Sequence, residues 1–187
     1  MKNERVATGR VESLCLNGEA VDTICFDLAG LRGDVHSGFS RTVGAHDGAY
    51  RATSALHKGD AVLNWRSWTA LAREEIAAFE QTLGVPIPQG CLLENLTVTG
   101  IPNLSKLPPT TRMVFPVRGG TQAMLAVWEE NSPCHTVGQR LADHYGRPEL
   151  KKALIAGARG KRGVMGLVLS AGWVEVDDEV QVFPPAR

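Results

Sequence analysis

The alternation of apolar and polar positions follows the two-residue period of strands over most of the chain, broken by a few stretches of helical spacing. Arg5 to Leu16 alternates loosely through Val6, Val11, Leu14 and Leu16, then stops at Asn17-Gly18, a pair suited to a two-residue hairpin turn. Val21 to Leu28, with Ile24, Phe26 and Leu28 on one face, is its natural partner, so residues 5–28 are expected to form an antiparallel hairpin. Ala61-Val62-Leu63 reads as a short strand. After Asn64-Trp65-Arg66-Ser67, the residues Trp68, Leu71, Ala72, Ile76, Phe79 and Leu83 fall at helical spacing. Ser67 or Thr69 is placed to cap that helix, Gly84 to end it, and Pro86 to prevent its continuation.

Downstream, Arg112–Val117 and Met124–Trp128 read as strands joined at Gly119-Gly120, and Val137–Tyr145 as a helix ended by Gly146. Pro148 opens another helix, with Leu150, Ala153, Leu154 and Ala158 as its apolar side. Three short strands close the chain at Val164–Leu169, Trp173–Val176 and Val180–Phe183. The tally is about eight or nine strands with two or three helices and no regular βαβ alternation, which points away from a doubly wound sheet. The expected fold is mostly β: a closed or partly open, largely antiparallel barrel with two or three inserted helices, in one domain over residues 1–187.

Composition narrows the function classes. Lys plus Arg equals Asp plus Glu at 20 each, so no global field recruits nucleic acid or a membrane surface. The sequence starts Met1-Lys2-Asn3-Glu4-Arg5 and has no apolar run of signal-peptide or spanning length, so a cytoplasmic location with reduced thiols is expected. The four cysteines Cys15, Cys25, Cys91 and Cys134 include no C-x-x-C pair, which argues against a zinc ribbon or a thioredoxin motif.

Of these cysteines, Cys134 has the most reactive setting. The strand ending at Trp128 runs into the polar turn Glu129-Glu130-Asn131-Ser132-Pro133, and a helix follows. A thiol at a strand end and helix start lies near backbone N–H groups and a partial positive charge, both of which favour thiolate. The glycine-rich loop Gly30–Gly38 carries Arg32 and His36 but lacks the Gly-Lys-Ser/Thr of a phosphate loop. Asp34, His36, His46, Asp47 and His57 match no compact metal motif and read as solvated loop residues. Glu94 and Asn95 interrupt an apolar run, so they either line a site or bond loop backbone. Ala158-Arg159-Gly160-Lys161-Arg162-Gly163 reads as a solvated basic turn or a site for an anionic ligand.

The order of these features resembles the MOSC domain, found at the C-terminus of molybdenum-cofactor sulfurases and as stand-alone bacterial proteins. The resemblance is carried by Gly33-Asp34-x-His36-x-Gly38, Glu94-Asn95-Leu96, Asn131-x-Pro133-Cys134, and the closing Arg162-Gly163…Gly172…Val176…Asp178-x-Val180. It extends over residues 5–183, and Ser105-Lys106-Leu107-Pro108-Pro109 and His144–Leu150 also look like stand-alone members. It implies a β-barrel with helical insertions, with Cys134 as the active residue: catalytic, and a thiolate ligand to molybdenum or a sulfur carrier. The cofactor implied is the molybdenum cofactor, with pyridoxal phosphate a second family-level association. Arg32, His36, Glu94, Asn95, Asn131, Ser132 and Arg162 are the residues expected to bind it. As an enzyme, such a protein would reduce N-hydroxylated compounds with electrons from a separate electron-transfer protein, no flavin or iron–sulfur motif being visible. The alternatives are a persulfide sulfur-delivery module fed by a sulfur donor, and a non-catalytic barrel binding a small anion. No N-terminal partner domain of the sulfurase or reductase kind is recognisable, which fits the sulfur-delivery alternative equally well. Two positions depart from the family pattern: the second glycine of Gly-x-x-Gly is Leu93, and Asp-x-His-Gly-Gly reads Asp-x-His-Ser-Gly at Ser37. Leucine resists positive φ, so a changed backbone or ligand approach is expected at Leu93.

Overall fold

A computed structural model describes residues 5–44, 47 and 54–185. The chain opens with β1 (Ala7–Leu16), β2 (Glu19–Val21), β3 (Thr23–Asp27), β4 (Gly30–Leu31), β5 (Ser40–Thr42), β6 (Ala61–Leu63) and β7 (Trp68–Ala72). Helix α1 (Arg73–Leu83) and β8 (Leu96–Thr99) follow, then a 3-10 turn at Leu104–Lys106, β9 (Arg112–Arg118) and β10 (Thr121–Glu130). Helices α2 (His135–Tyr145) and α3 (Glu149–Gly157) precede the closing strands β11 (Val164–Ser170), β12 (Gly172–Glu175) and β13 (Glu179–Phe183).

Seven strands in the order β13-β9-β10-β11-β7-β8-β1 form a barrel that closes through antiparallel pairing of β1 with β13. Closure leaves no free edge around the ring, and β2 is appended outside it. Every neighbour is antiparallel except β7 and β8, whose parallel pairing requires a crossover, and α1 provides it. The barrel is therefore mixed. Alternation drives its core: Val180 and Val182 of β13 and Met113 and Phe115 of β9 point inward, while Glu179, Gln181, Arg112 and Val114 do not. A second apolar cluster joins the three helices through Phe79, Leu83, Val137, Leu141, Leu150 and Leu154. Each such side chain contributes about 1.5–3 kcal/mol by its burial, and together they fix the start of α2 against the barrel.

The structure corrects the sequence reading in three places. Trp68–Ala72 is strand β7, and the helix starts only at Arg73. That segment is buried nearly throughout, between β11 and β8, and a continuous apolar run does not reveal its period. Ser67 and Thr69 cap nothing there; Ser67 Oγ donates to Gly166 O at 3.0 Å, and α1 starts at Ala72 with no side-chain cap. The stop is as expected, with Gly84 left-handed at φ 67. Secondly, β1 and β2 form the expected hairpin, with Asn17 and Gly18 at φ 55 and 86, but β3 leaves it to pair with β12. The resulting sheet β12-β3-β4 rests on β10, where Gly172 lies against the Ala123 backbone so closely that a Cβ would sit 2.4 Å from Ala123 N. Thirdly, the described residues form thirteen strand segments, more than expected, because β2, β4 and β5 have only two or three residues each, too short to show a period; the short strand expected at Ala61-Val62-Leu63 is β6.

Candidate functional site

Strand β10 ends at Glu130 opposite Val164, and Asn131 N–H then donates to Gly163 O at 3.0 Å, carrying the barrel pairing one residue further. Ser132 and Pro133 turn the chain, and Cys134 becomes the N-cap residue of α2 in extended conformation (φ −120, ψ 168). Its carbonyl accepts the Gly138 N–H, while its side chain caps nothing. The thiol is therefore held at the positive end of the helix and left uncommitted. Cys15 and Cys91 are buried, and burial pushes both thiols up to about 11. Cys25 is partly exposed on β3. Of the four, Cys134 lines a cavity formed by the described residues.

That cavity, about 470 Å³, lies between the His36 loop, the start of β7, the Leu93–Asn95 turn and the Glu129–Cys134 connection, with Arg162 at its wall. Its size is in the range of small-molecule sites. Arg162 is 5% exposed. Its Nη1 donates to Asn131 Oδ1 (2.5 Å) and Ser132 O (3.0 Å), and its Nη2 to Leu92 O (2.8 Å). Its Nε is buried without a partner, and no carboxylate of the described residues lies within ion-pairing distance. Burial lowers its pKa while Cys134 and Glu94 raise it, yet a guanidinium stays charged. A buried cation in a cage of neutral oxygens favours an anion beside it. The sequence left this turn open between solvated loop and anion site; its arginine is buried at the cavity.

The opposite wall is a hydrogen-bonded row. Asn95 Oδ1 accepts from Thr69 N (2.9 Å), and Asn95 Nδ2 donates to Asp34 Oδ2 (3.0 Å). Asp34 Oδ1 in turn bonds His36 Nδ1 at 3.0 Å and accepts the His36 N–H at 2.8 Å. Burial would raise the Asp34 pKa, but the bonds from His36 and Asn95 outweigh it and hold the carboxyl below its usual range. The bond to Asp34 raises the pKa of His36 against burial and the charge of Arg66. Arg66 lines the same cavity and is steered by Asp47, which also takes two 2.8 Å bonds from Arg41. Those bonds and the Gly44 N–H hold Asp47 down to about 2. Arg41 lies over the Trp65 ring, 4.1 Å from its centroid, and Trp65 stacks on Trp128.

Of the residues singled out in the sequence, His36, Asn95, Asn131, Ser132, Cys134 and Arg162 converge on this cavity. Glu94 does not line it. It is buried behind, accepting the Gly90 N–H at 2.6 Å, and burial raises its pKa. Arg32 does not reach it either: its side chain is exposed and pairs with Asp27 at 3.9 Å. Of the loop group, Asp47 is buried rather than solvated, His57 is exposed beside Asp60, and His46 lies outside the described residues. Sequence reasoning missed Arg66, Thr69, Glu129, Glu130 and Met165 as lining residues. The two glutamates adjoin the cysteine turn and were within reach of the argument; Arg66 carries no local signal. Leu93 also lines the cavity, and its backbone is left-handed at φ 57. The backbone shape that suits glycine is kept with a leucine in it, at roughly 1–2 kcal/mol.

The sequence matches the MOSC domain family over residues 56–181. The chain belongs to that family. It is 30% identical over 170 residues to YuaD of Bacillus subtilis (strain 168), a protein whose name refers to metal-sulfur cluster biosynthesis, spanning 89% of this chain and 83% of YuaD. The crystal structure of a Bacillus subtilis YUAD protein superposes with a TM-score of 0.87 at 28% identity, covering 98% of this chain and 99% of that one. YiiM of Escherichia coli shares the fold at 17% identity, TM-score 0.58, over 96% of this chain and 70% of its own.

The residues of this MOSC cavity can be tested against the cofactors associated with the family. Among the described residues no three His, Cys, Asp or Glu side chains gather to hold a bare ion. A single thiol suits instead a metal that arrives already held by its own sulfur ligand and needs one more soft donor. The buried, partly unbonded Arg162 and the nearby Arg66 suit the anionic groups of such a ligand. The donor set fits the molybdenum cofactor. It does not fit pyridoxal phosphate, because among the described residues no lysine lines the cavity to supply the amine. Among the described residues no helix is long and apolar enough to cross a membrane.

Proposed function

We propose that this MOSC protein binds the molybdenum cofactor in the Cys134 cavity and uses the Cys134 thiolate as the protein's ligand to the metal. The reading rests on one observation: an uncommitted thiol at a helix N-terminus shares a cavity with a buried arginine that has no carboxylate partner among the described residues. The family membership and the metal-sulfur wording of the YuaD name support the same sulfur- and metal-related role. Arg162 and Arg66 hold the anionic part of the cofactor. Asn131 and Ser132 fix Arg162, so the turn that presents the thiol also sets the cation beside it. Asn95 holds the loop that forms the opposite wall. When bound, the cofactor supplies a redox metal capable of oxygen-atom exchange, and the substrates of this reading are N-hydroxylated compounds reduced with electrons from a separate carrier protein.

The test is metal analysis of protein from a host that makes the cofactor, wild type against Cys134→Ser. Near-stoichiometric molybdenum in the wild type, absent from a folded Cys134→Ser, is the expected result. Molybdenum in neither refutes the reading. A wild-type mass increased by about one sulfur atom, lost on reduction, would then assign Cys134 to sulfur delivery instead.

A further inference from the structure

We propose that His36 is the proton donor of this cavity, delivering a proton from Nε2 to the oxygen that leaves the substrate; the inference rests on the reductive reading given above. The reduction balances as an N-hydroxylated amine taking up two electrons and two protons to give the amine and water. The N–O bond breaks, the electrons come from the carrier protein, and the oxygen departs as water. One of the two protons must reach an oxygen in a cavity whose other polar walls do not supply it.

Among the lining side chains the imidazole is the group whose ordinary ionisation falls near neutral pH. Arg66 and Arg162 do not release protons at neutral pH. Glu129 accepts the Trp65 Nε1–H at 3.1 Å, and Glu130 accepts the Gly160 N–H at 2.7 Å. Cys134 is the metal ligand of the reading. His36 has Nδ1 engaged by Asp34, which leaves Nε2 without a hydrogen-bond partner among the described residues. The Asp34 carboxylate is 5% exposed while the His36 side chain is 64% exposed. A buried anion thus orients an imidazole at the rim, where solvent can reprotonate it.

The loop is built to hold that ring still. Asn17 clamps it from the β1–β2 turn by accepting the Val35 N–H and donating to Gly33 O, both at 2.9 Å. Asn64 donates to His36 O at 2.6 Å and to Gly38 O at 3.0 Å, and Asn95 holds Asp34 from behind. The charged groups facing the ring are Asp34 on its own loop and Arg66 from the β6–β7 connection; the first favours the protonated form and the second opposes it. Asp34 and Asn95 are positioning residues, since they act only through the histidine.

Two measurements on the full chain test the assignment. In the apoprotein, NMR titration of the His36 ring, identified by its loss in His36→Gln, should show a midpoint above the ordinary 6.5. Asp34→Asn should move that midpoint down. In the loaded enzyme, with N-phenylhydroxylamine as substrate and reduced methyl viologen as donor, kcat should fall as rising pH deprotonates His36. Compared per bound molybdenum, His36→Gln should lower kcat roughly 100-fold and abolish that limb of the profile. A loaded His36→Gln that keeps both rate and limb overturns the proposal and leaves the cofactor reading intact. A titration midpoint that Asp34→Asn leaves in place also overturns it. A wild type without molybdenum overturns both.

Discussion

Replacing Gly163 by alanine tests how tightly the cavity wall is built. Gly163 has φ 73, and an added Cβ would lie 1.9 Å from Ala70 O, 2.8 Å from Ala70 C and 2.9 Å from Leu71 Cα, all of them β7 backbone. The left-handed conformation alone penalises a side chain by about 1–2 kcal/mol, and forced overpacking adds about 1–3 kcal/mol. Alanine's smaller unfolded-state entropy returns at most about 1 kcal/mol. The control is Gly84→Ala at the end of α1, where φ is 67 and nothing lies within 4 Å of the added atom. We expect a loss of about 3 kcal/mol for Gly163→Ala and about 1 kcal/mol for the control, read from urea unfolding with linear extrapolation. β7 must withdraw from β11 to admit the methyl group, which loosens the pairing of Ala70 with Val164 two residues after Arg162. Equal losses for the two variants, within about 0.5 kcal/mol, would show that backbone conformation rather than contact with β7 sets the effect.

Two further predictions follow from the buried titratable groups, beside the metal and histidine experiments described above. Asp47 has its carboxyl lowered from 3.8 to about 2, so its contribution is complete above 3.8 and disappears as pH falls toward 2. A shift of that size corresponds to about 2 kcal/mol, and Asp47→Asn should flatten the acid limb of stability against pH; an unchanged limb would be inconsistent with the Arg41–Asp47–Arg66 cluster as its source. Iodoacetamide at neutral pH, followed by peptide mapping, should modify the partly exposed Cys134 and Cys25, while Cys15 and Cys91, buried and raised to about 11, react only on unfolding. Early labelling of Cys91 would contradict its burial.

Local chemistry was the legible part of this chain. Asn17-Gly18 specified a hairpin, Gly84 and Gly146 the ends of helices, and the strand-to-helix junction at Cys134 the position of the thiol, because each depends on neighbours in sequence. The motif order that resembles the family singled out His36, Asn95, Asn131 and Arg162, which line one cavity, whereas Asp34, read as solvated, is buried behind His36. What escaped was depth. Arg162 looks like any residue of a basic turn, and its burial depends on carbonyls of Leu92 and Ser132 contributed from elsewhere in the chain. Asp47 looked solvated for the same reason: its partners Arg41 and Arg66 are brought to it by the fold. β7 read as helix because tertiary burial on both faces erased the alternation that marks a strand.

The pairing of β1 with β13 sets a schedule for biosynthesis. Ala7 meets Val182, so the ring is completed by residues separated by nearly the whole described sequence. Local hairpins such as β9–β10 can assemble as they emerge from the ribosome, but the last seam waits for Glu179–Phe183. Until then β1 presents an open edge, a surface for chaperones and for other nascent copies alike.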